Sequence, residues 1–123
     1  MHGYGVQTNE PYRLFKKFMP YAWGNGAEAL SADLTQARFD SPATREALDF
    51  YLGLRSVGLL GTQDVLDREF LEGRLGLQIS GGWLIRRAPA EAPALRWGVA
   101  LVPRPAAGRG THASFAGGEV LVT

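Results

Sequence analysis

Apolar positions along this chain follow two periods, one of a strand and one of a helix. Tyr4-Gly5-Val6-Gln7 reads as a short strand that ends in polar Thr8-Asn9. A helix starts at Glu10-Pro11, with Asn9 able to cap it and proline in the favoured first position. Tyr12, Phe15, Phe18 and Met19 line one side of it, and Pro20 with Gly24-Asn25-Gly26 is expected to break it. Residues 27–39 read as a loop with a short hairpin or irregular strands. Asp40-Ser41-Pro42 opens a second helix, capped by Asp40 or Ser41 and running to about Val57. Its expected apolar stripe is Ala43, Ala47, Phe50, Leu54 and Val57, and Gly58 ends it. A shorter helix is predicted over residues 63–72, with Val65, Leu66, Phe70 and Leu71 inward and Gly73 closing it. Leu75, Leu77 and Ile79 then alternate as in a half-buried strand, which stops at Gly81-Gly82 and delivers Trp83. Leu84-Ile85 could begin another helix, whereas the Ala/Pro-rich run 86–94 reads as a surface connection. Trp97 to Leu101 is expected to be a strand, 103–111 a Pro/Gly loop, and the last residues a turn leading into the strand Val120-Leu121-Val122.

Composition narrows the class without naming a function. At 123 residues the chain fits one domain spanning 1–123, with one core. It is 46% hydrophobic and 20% charged, with a formal net charge of +1 and both signs interspersed. That balance gives no electrostatic case for nucleic acid or an anionic membrane. With no cysteine, disulfides and thiolate metal sites are excluded. No apolar run approaches the ~20 residues of a bilayer span, and Met1-His2-Gly3-Tyr4 lacks the regions of a signal peptide. The chain stops within an apolar run, which reads as a fragment or excised lobe.

Catalytic signals are weak. His2 and His112 have no ligand-spaced partner, so no metal or other cofactor is expected. Asp64, Asp67, Glu69 and Glu72 read as the wet face of a short helix. Ser80 lacks the flanking glycine of a nucleophile elbow. Gly108-Arg109-Gly110-Thr111-His112-Ala113 superficially matches a dinucleotide fingerprint, but it follows a proline-rich loop instead of a strand. Binding signals are stronger. Tyr12 and Trp83 offer aromatic faces, Asn9, Glu10 and Glu119 offer hydrogen-bonding groups, and Gly81-Gly82 and Gly117-Gly118 allow close backbone approach. Apolar platforms with a few placed polar groups describe a small-molecule cleft, and a neutral polyol suits it.

Five pieces in order give the chain a familiar outline: Asn9-Glu10-Pro11-Tyr12; Phe39-Asp40-Ser41-Pro42 with Ala47-Leu48-Asp49-Phe50-Tyr51; Phe70-Leu71-Glu72-Gly73-Arg74 leading into Ile79-Ser80-Gly81-Gly82-Trp83; Trp97-Gly98-Val99-Ala100-Leu101-Val102-Pro103; and Ser114-Phe115-Ala116-Gly117-Gly118-Glu119. Together they resemble the extracytoplasmic sugar-binding proteins of bacterial ABC importers, the group that includes maltose-binding protein. The resemblance implies an α/β fold, a single lobe of the type II periplasmic-binding-protein architecture with a short mixed sheet flanked by helices. The chain resembles the main continuous part of the C-terminal lobe, without the N-terminal lobe. It implies a non-enzymatic role, capture of a sugar or oligosaccharide by hinge closure, with the N-terminal lobe and the ABC permease as partners and an extracytoplasmic location for the parent protein.

By the same resemblance, Trp83 stacks on a sugar ring, Glu10 and Tyr12 touch sugar, and Gly117, Gly118 and Glu119 face the cleft. Gly82 stands where many relatives carry proline, which loosens the turn before Trp83. Trp23 and Trp97 are assigned to packing. Three rivals stay open: a lobe that oligomerises through exposed edges, a glycerol phosphate ligand held by Arg13, Arg86 or Arg87, and a glycosidase using Glu10 and Glu119.

Overall fold

The computed structural model describes residues 1–106 and 108–117. Three parallel strands form the sheet: β1 (His2–Gln7), β2 (Leu59–Gly61) and β3 (Leu75–Gln78), in the order β2-β1-β3. The α/β lobe is the one expected, with its sheet parallel throughout the described residues instead of mixed. Parallel neighbours need crossovers, and helices supply them. Helices α1 (Pro11–Gly24) and α2 (Pro42–Gly53) lie between β1 and β2, and α3 (Gln63–Leu71) lies between β2 and β3. Helix α4 (Trp83–Glu91) follows β3.

Side-chain alternation on β1 sets the layers. The Tyr4 hydroxyl meets that of Tyr21 in α1 at 2.6 Å, whereas Leu66 of α3 lies 3.0 Å from where a Cβ on Gly5 would sit. Adjacent residues on a strand face opposite ways, so α1 and α3 cover opposite faces of β1. Val6, Met19, Ala22, Ala47, Tyr51, Leu66, Leu75, Leu84 and Ala88 are buried. Phe18 and Tyr51 lock α1 to α2 edge-on at 5.7 Å.

Ser41 caps α2, accepting the Thr44 N–H at 3.2 Å. Asn9 caps nothing. It turns the chain with φ +60°, and Glu10 takes the cap position without a side-chain bond to its own helix. Pro20 sits buried inside α1 and does not end it. Its ring removes one N–H and crowds one carbonyl, a local loss that its burial offsets. The second helix stops at Gly53 and tightens into a 3₁₀ turn, Leu54–Ser56. The buried stripe on α2 is Thr44, Ala47 and Tyr51, while Phe50 and Val57 are exposed. Gly58 has no room for a side chain: a Cβ would lie 2.8 Å from Val6 Cγ2 and 2.9 Å from the carbonyl oxygens of Leu54 and Tyr4.

Helix α3 and strand β3 fall where expected, with Gly73 at φ +70° between them. Leu75 is buried but Leu77 is 66% exposed, so the expected inward alternation is not kept along β3. Most of the run 86–94 is helical: alanines carry α4 to Glu91 with Pro89 inside it, and only residues 92–94 connect onward. Trp97 to Leu101 is not a strand; its apolar alternation finds no strand partner among the described residues, and Val99 and Leu101 are exposed. The expected strand at 120–122 lies outside the described residues.

Candidate functional site

The carboxyl ends of the strands gather the candidate residues. Gln7, Gly61 and Gln78 end β1, β2 and β3, and the next residues start α1, α3 and α4. In open parallel sheets this edge is where ligands sit. Three helix N-termini face it and bring Tyr12, Gln63 and Trp83 to one side of the molecule.

Trp83 is 41% exposed at the first position of α4. Its ring folds back over Gly81, where a Cβ would lie 1.8 Å from ring carbon Cζ3, so glycine is required there. The indole N–H points inward and donates to Asp67 Oδ2 at 2.8 Å. Asp67, read from sequence as wet surface, is 1% exposed. Its Oδ1 accepts from Gln63 Nε2 at 2.8 Å and from Ser80 Oγ at 2.9 Å. Arg87 Nη1 lies 3.5 Å from Oδ2. Hydrogen bonds and a cation thus offset the cost of burying this carboxylate. Lys17 on α1 completes the surround, its Nζ 5.9 Å from the Trp83 ring. Burial pushes the Lys17 ammonium down to about 8, against the pull of Asp67.

Glu10 is committed to the fold. Its Oε2 accepts the backbone N–H of Gln63 at 2.8 Å, at the start of α3 where the Thr62 side chain makes no cap. Gln7 Nε2 donates to the same oxygen. Oε1 lies 3.4 Å from Arg13 and is the part of the carboxylate left toward the edge. The Gln63 N–H, more than any other group, holds the Glu10 carboxyl below its usual range. Side-chain oxygens of Gln7 and Gln63 and the Gln78 amide nitrogen are buried with no hydrogen-bond partner among the described residues.

Tyr12 is 61% exposed, with Lys16 Nζ over its ring at 3.9 Å. Gly117 is exposed beside the Phe115 ring, which stacks on Trp23 at 5.9 Å and meets Phe15 edge-on at 6.2 Å. The structure therefore joins Glu10 and Trp83 through Gln63 and Asp67, and places Tyr12 and Gly117 along α1 around Lys16 and Phe115. Gly118 and Glu119 lie outside the described residues. Sequence reasoning missed Asp67, Gln63 and Lys17. Gln63 and Asp67 stand four apart, which puts them on one helix face, and that spacing was the one signal to be had.

A cavity of about 450 Å³ lies between α1 and α2 and meets the site at Gln7 and Phe15. Leu14, Phe18, Leu48 and Leu52 give it mostly apolar walls, with Thr8, Asn9 and Arg55 as further polar lining. Among the described residues there is no cluster of metal-ligating side chains, and no helix is long and apolar enough to cross a membrane.

A three-stranded parallel sheet with helices on both faces matches one lobe of the solute-binding-protein fold of ABC transporters. The chain is similar to these proteins in both sequence and structure. An ABC transporter solute-binding protein of Thermotoga lettingae, solved with α-D-tagatose bound, superposes with a TM-score of 0.75 at 28% identity. The match covers 85% of this chain and 29% of that one. Proteins of Brucella abortus and Brucella suis named as putative binding proteins are 29% identical over 119 residues. The chain spans 28% of the length of these curated relatives. No protein-family model matches it.

Proposed function

We propose that this chain forms one wall of a carbohydrate-capture cleft serving an ABC importer, with Trp83 as its stacking platform and Tyr12 as a second aromatic contact. The observation that carries the reading is the Trp83 ring, exposed at the carboxyl edge of a parallel sheet with its N–H already engaged by Asp67. An apolar ring face with its polar atom satisfied suits the C–H face of a sugar. Glu10 Oε1 and the Gly117 backbone stand as further contacts, and Gly118 and Glu119 remain proposed with them. A neutral ligand is favoured over a glycerol phosphate, because two of the three candidate arginines are committed, Arg13 to Glu10 and Arg87 to Glu91 and Asp67, which leaves Arg86. The relatives are binding proteins, which supports capture over catalysis.

Capture proceeds by closure of a second lobe over the sugar, and the closed form is read by the permease outside the cytoplasm. A ligand drives closure only through better binding to the closed state, so one wall alone is expected to bind more weakly than the closed pair. The test is an NMR titration of the chain with D-tagatose, D-glucose and maltose. Selective shifts at Trp83 and Tyr12 that vanish in Trp83→Ala are expected. Shifts confined to the α1–α2 cavity, or none up to 100-fold excess over the chain, would overturn the site. A second reading, self-association, is favoured by β2 and β3 lying at the sheet edges among the described residues. A mass that rises with concentration in sedimentation would support it.

A further inference from the structure

We propose that Asp67 is the positioning residue of this site: it fixes Trp83 with the indole N–H turned inward, so that a ligand meets only the ring. The proposal rests on the reading above, in which Trp83 faces the ligand, and adds what determines the orientation and what the platform can recognise.

Three features argue for it. Asp67 spends its two oxygens on different tasks. Oδ1 takes Gln63 and Ser80, and Oδ2 takes the Trp83 indole with Arg87 behind it. Ser80 and Trp83 flank Gly81-Gly82, so one carboxylate grips the loop before α4 at both ends. The loop needs that grip, because Gly82 has nothing within 4 Å of where a side chain would stand. The indole nitrogen is also the sole hydrogen-bonding atom of the Trp83 side chain. With that atom committed, discrimination at this position comes from ring shape and C–H contact. A ligand that needs a donor here gains nothing from Trp83.

Asp67→Asn tests the oxygen assignment with little change of shape. Gln63 and Ser80 both donate, so they hold the asparagine oxygen at the Oδ1 position. The new NH₂ then faces the indole N–H, donor against donor, and the ring is released. The readout is hydrogen exchange of the Trp83 indole N–H without any sugar, its signal assigned with Trp83→Phe. A charge-assisted hydrogen bond gives protection of about tenfold or more over free tryptophan. That protection is expected in the native chain and lost in Asp67→Asn.

Exchange at the free-tryptophan rate in the native chain overturns the proposal, and this holds even if Asp67→Asn fails to fold. Protection unchanged in a folded Asp67→Asn overturns it equally. With D-tagatose added to the native chain, ring protons are expected to shift while the N–H stays protected. Loss of protection on binding overturns the ring-only part. Because exchange is read without sugar, a chain with a protected indole and no sugar response refutes the carbohydrate reading and leaves the Asp67 assignment standing.

Discussion

Glu10 offers the sharpest division between a residue that holds the fold and one that touches ligand. Its backbone begins α1 while its side chain caps α3, across 53 positions of sequence. Glu10→Ala removes two bonds. One satisfies the first N–H of α3, at the positive end of that helix, where a lost cap costs about 1 kcal/mol. The other serves Gln7, whose side chain is 2% exposed and would keep only a 3.3 Å contact to the Thr8 carbonyl. A buried amide donor so weakened costs roughly another 1 kcal/mol. The expected loss of about 2 kcal/mol is large beside a typical domain stability of ~5–15 kcal/mol, yet leaves the chain folded.

Urea unfolding followed by circular dichroism reads this directly. The midpoint should fall by about 1 M with an unchanged slope. Acid adds a second signature. The Gln63 N–H, with lesser help from Gln7 and Arg13, holds the native carboxyl below its value of 4.5 in the unfolded chain. Below 4.5 the unfolded state therefore binds the proton first, and stability falls as pH falls. The contribution of Glu10 is complete at neutral pH and disappears in acid, so native and Glu10→Gln chains should converge there. A Glu10→Ala chain with an unchanged urea midpoint and a lost sugar response would refute the bracing role and make Glu10 a ligand group.

Other consequences follow from burial. Gly58→Ala forces a Cβ against Val6 and two backbone oxygens and should destabilise by about 1–3 kcal/mol in urea. Gly53→Ala, with nothing within 4 Å, should be neutral or stabilising by about 0.5 kcal/mol at a helical position. Burial pushes the Tyr4 and Tyr51 hydroxyls above their usual 10. Unfolded tyrosines ionise first, so stability should drop as pH rises beyond 10, and Tyr4→Phe should shallow that drop in an alkaline unfolding series. Lys17, pushed down to about 8 from 10.5, has the opposite slope. The unfolded chain holds the extra proton between those values, so stability rises with pH there. Lys17→Met should lack that rise when urea midpoints are compared at pH 7 and 9.5.

Local chemistry made much of the fold legible. Pro11, Ser41-Pro42 and Gly73 mark helix ends by what their backbones can and cannot do, and all three lie where that chemistry puts them. Strands β1 and β3 announce themselves by composition. Strand β2 does not, because three residues, Leu59–Gly61, are too few to show a period. Proline misled twice. Pro20 and Pro89 lie inside helices, since one missing N–H is a bounded cost that packing or neighbouring alanines can outweigh. The run at Trp97 misled the other way: alternation is a condition for a strand, and pairing is what makes one.

Of the candidate site, only the aromatic half was legible in the sequence. Trp83 stands out as a large residue after two glycines, and Tyr12 as an aromatic at a helix start. Their supports were hidden for a physical reason. Whether a helical aspartate is solvated or buried depends on what the chain brings back over it. For Asp67 the partners Ser80 and Trp83 come from 13 and 16 residues further on. The same logic gives Glu10 a structural task beside the contact that the resemblance implies. A glutamate at the head of one helix shows no bracing role in sequence until the crossover sets the N-terminus of α3 beside its Oε2. Both acids then serve one purpose at the strand ends: each ties a helix start to a neighbour, leaving aromatic faces as the surface on offer. In the proposed site, a platform braced this way would recognise by shape, which makes the ring-proton response to sugar, read against an N–H that stays protected, the deciding observation.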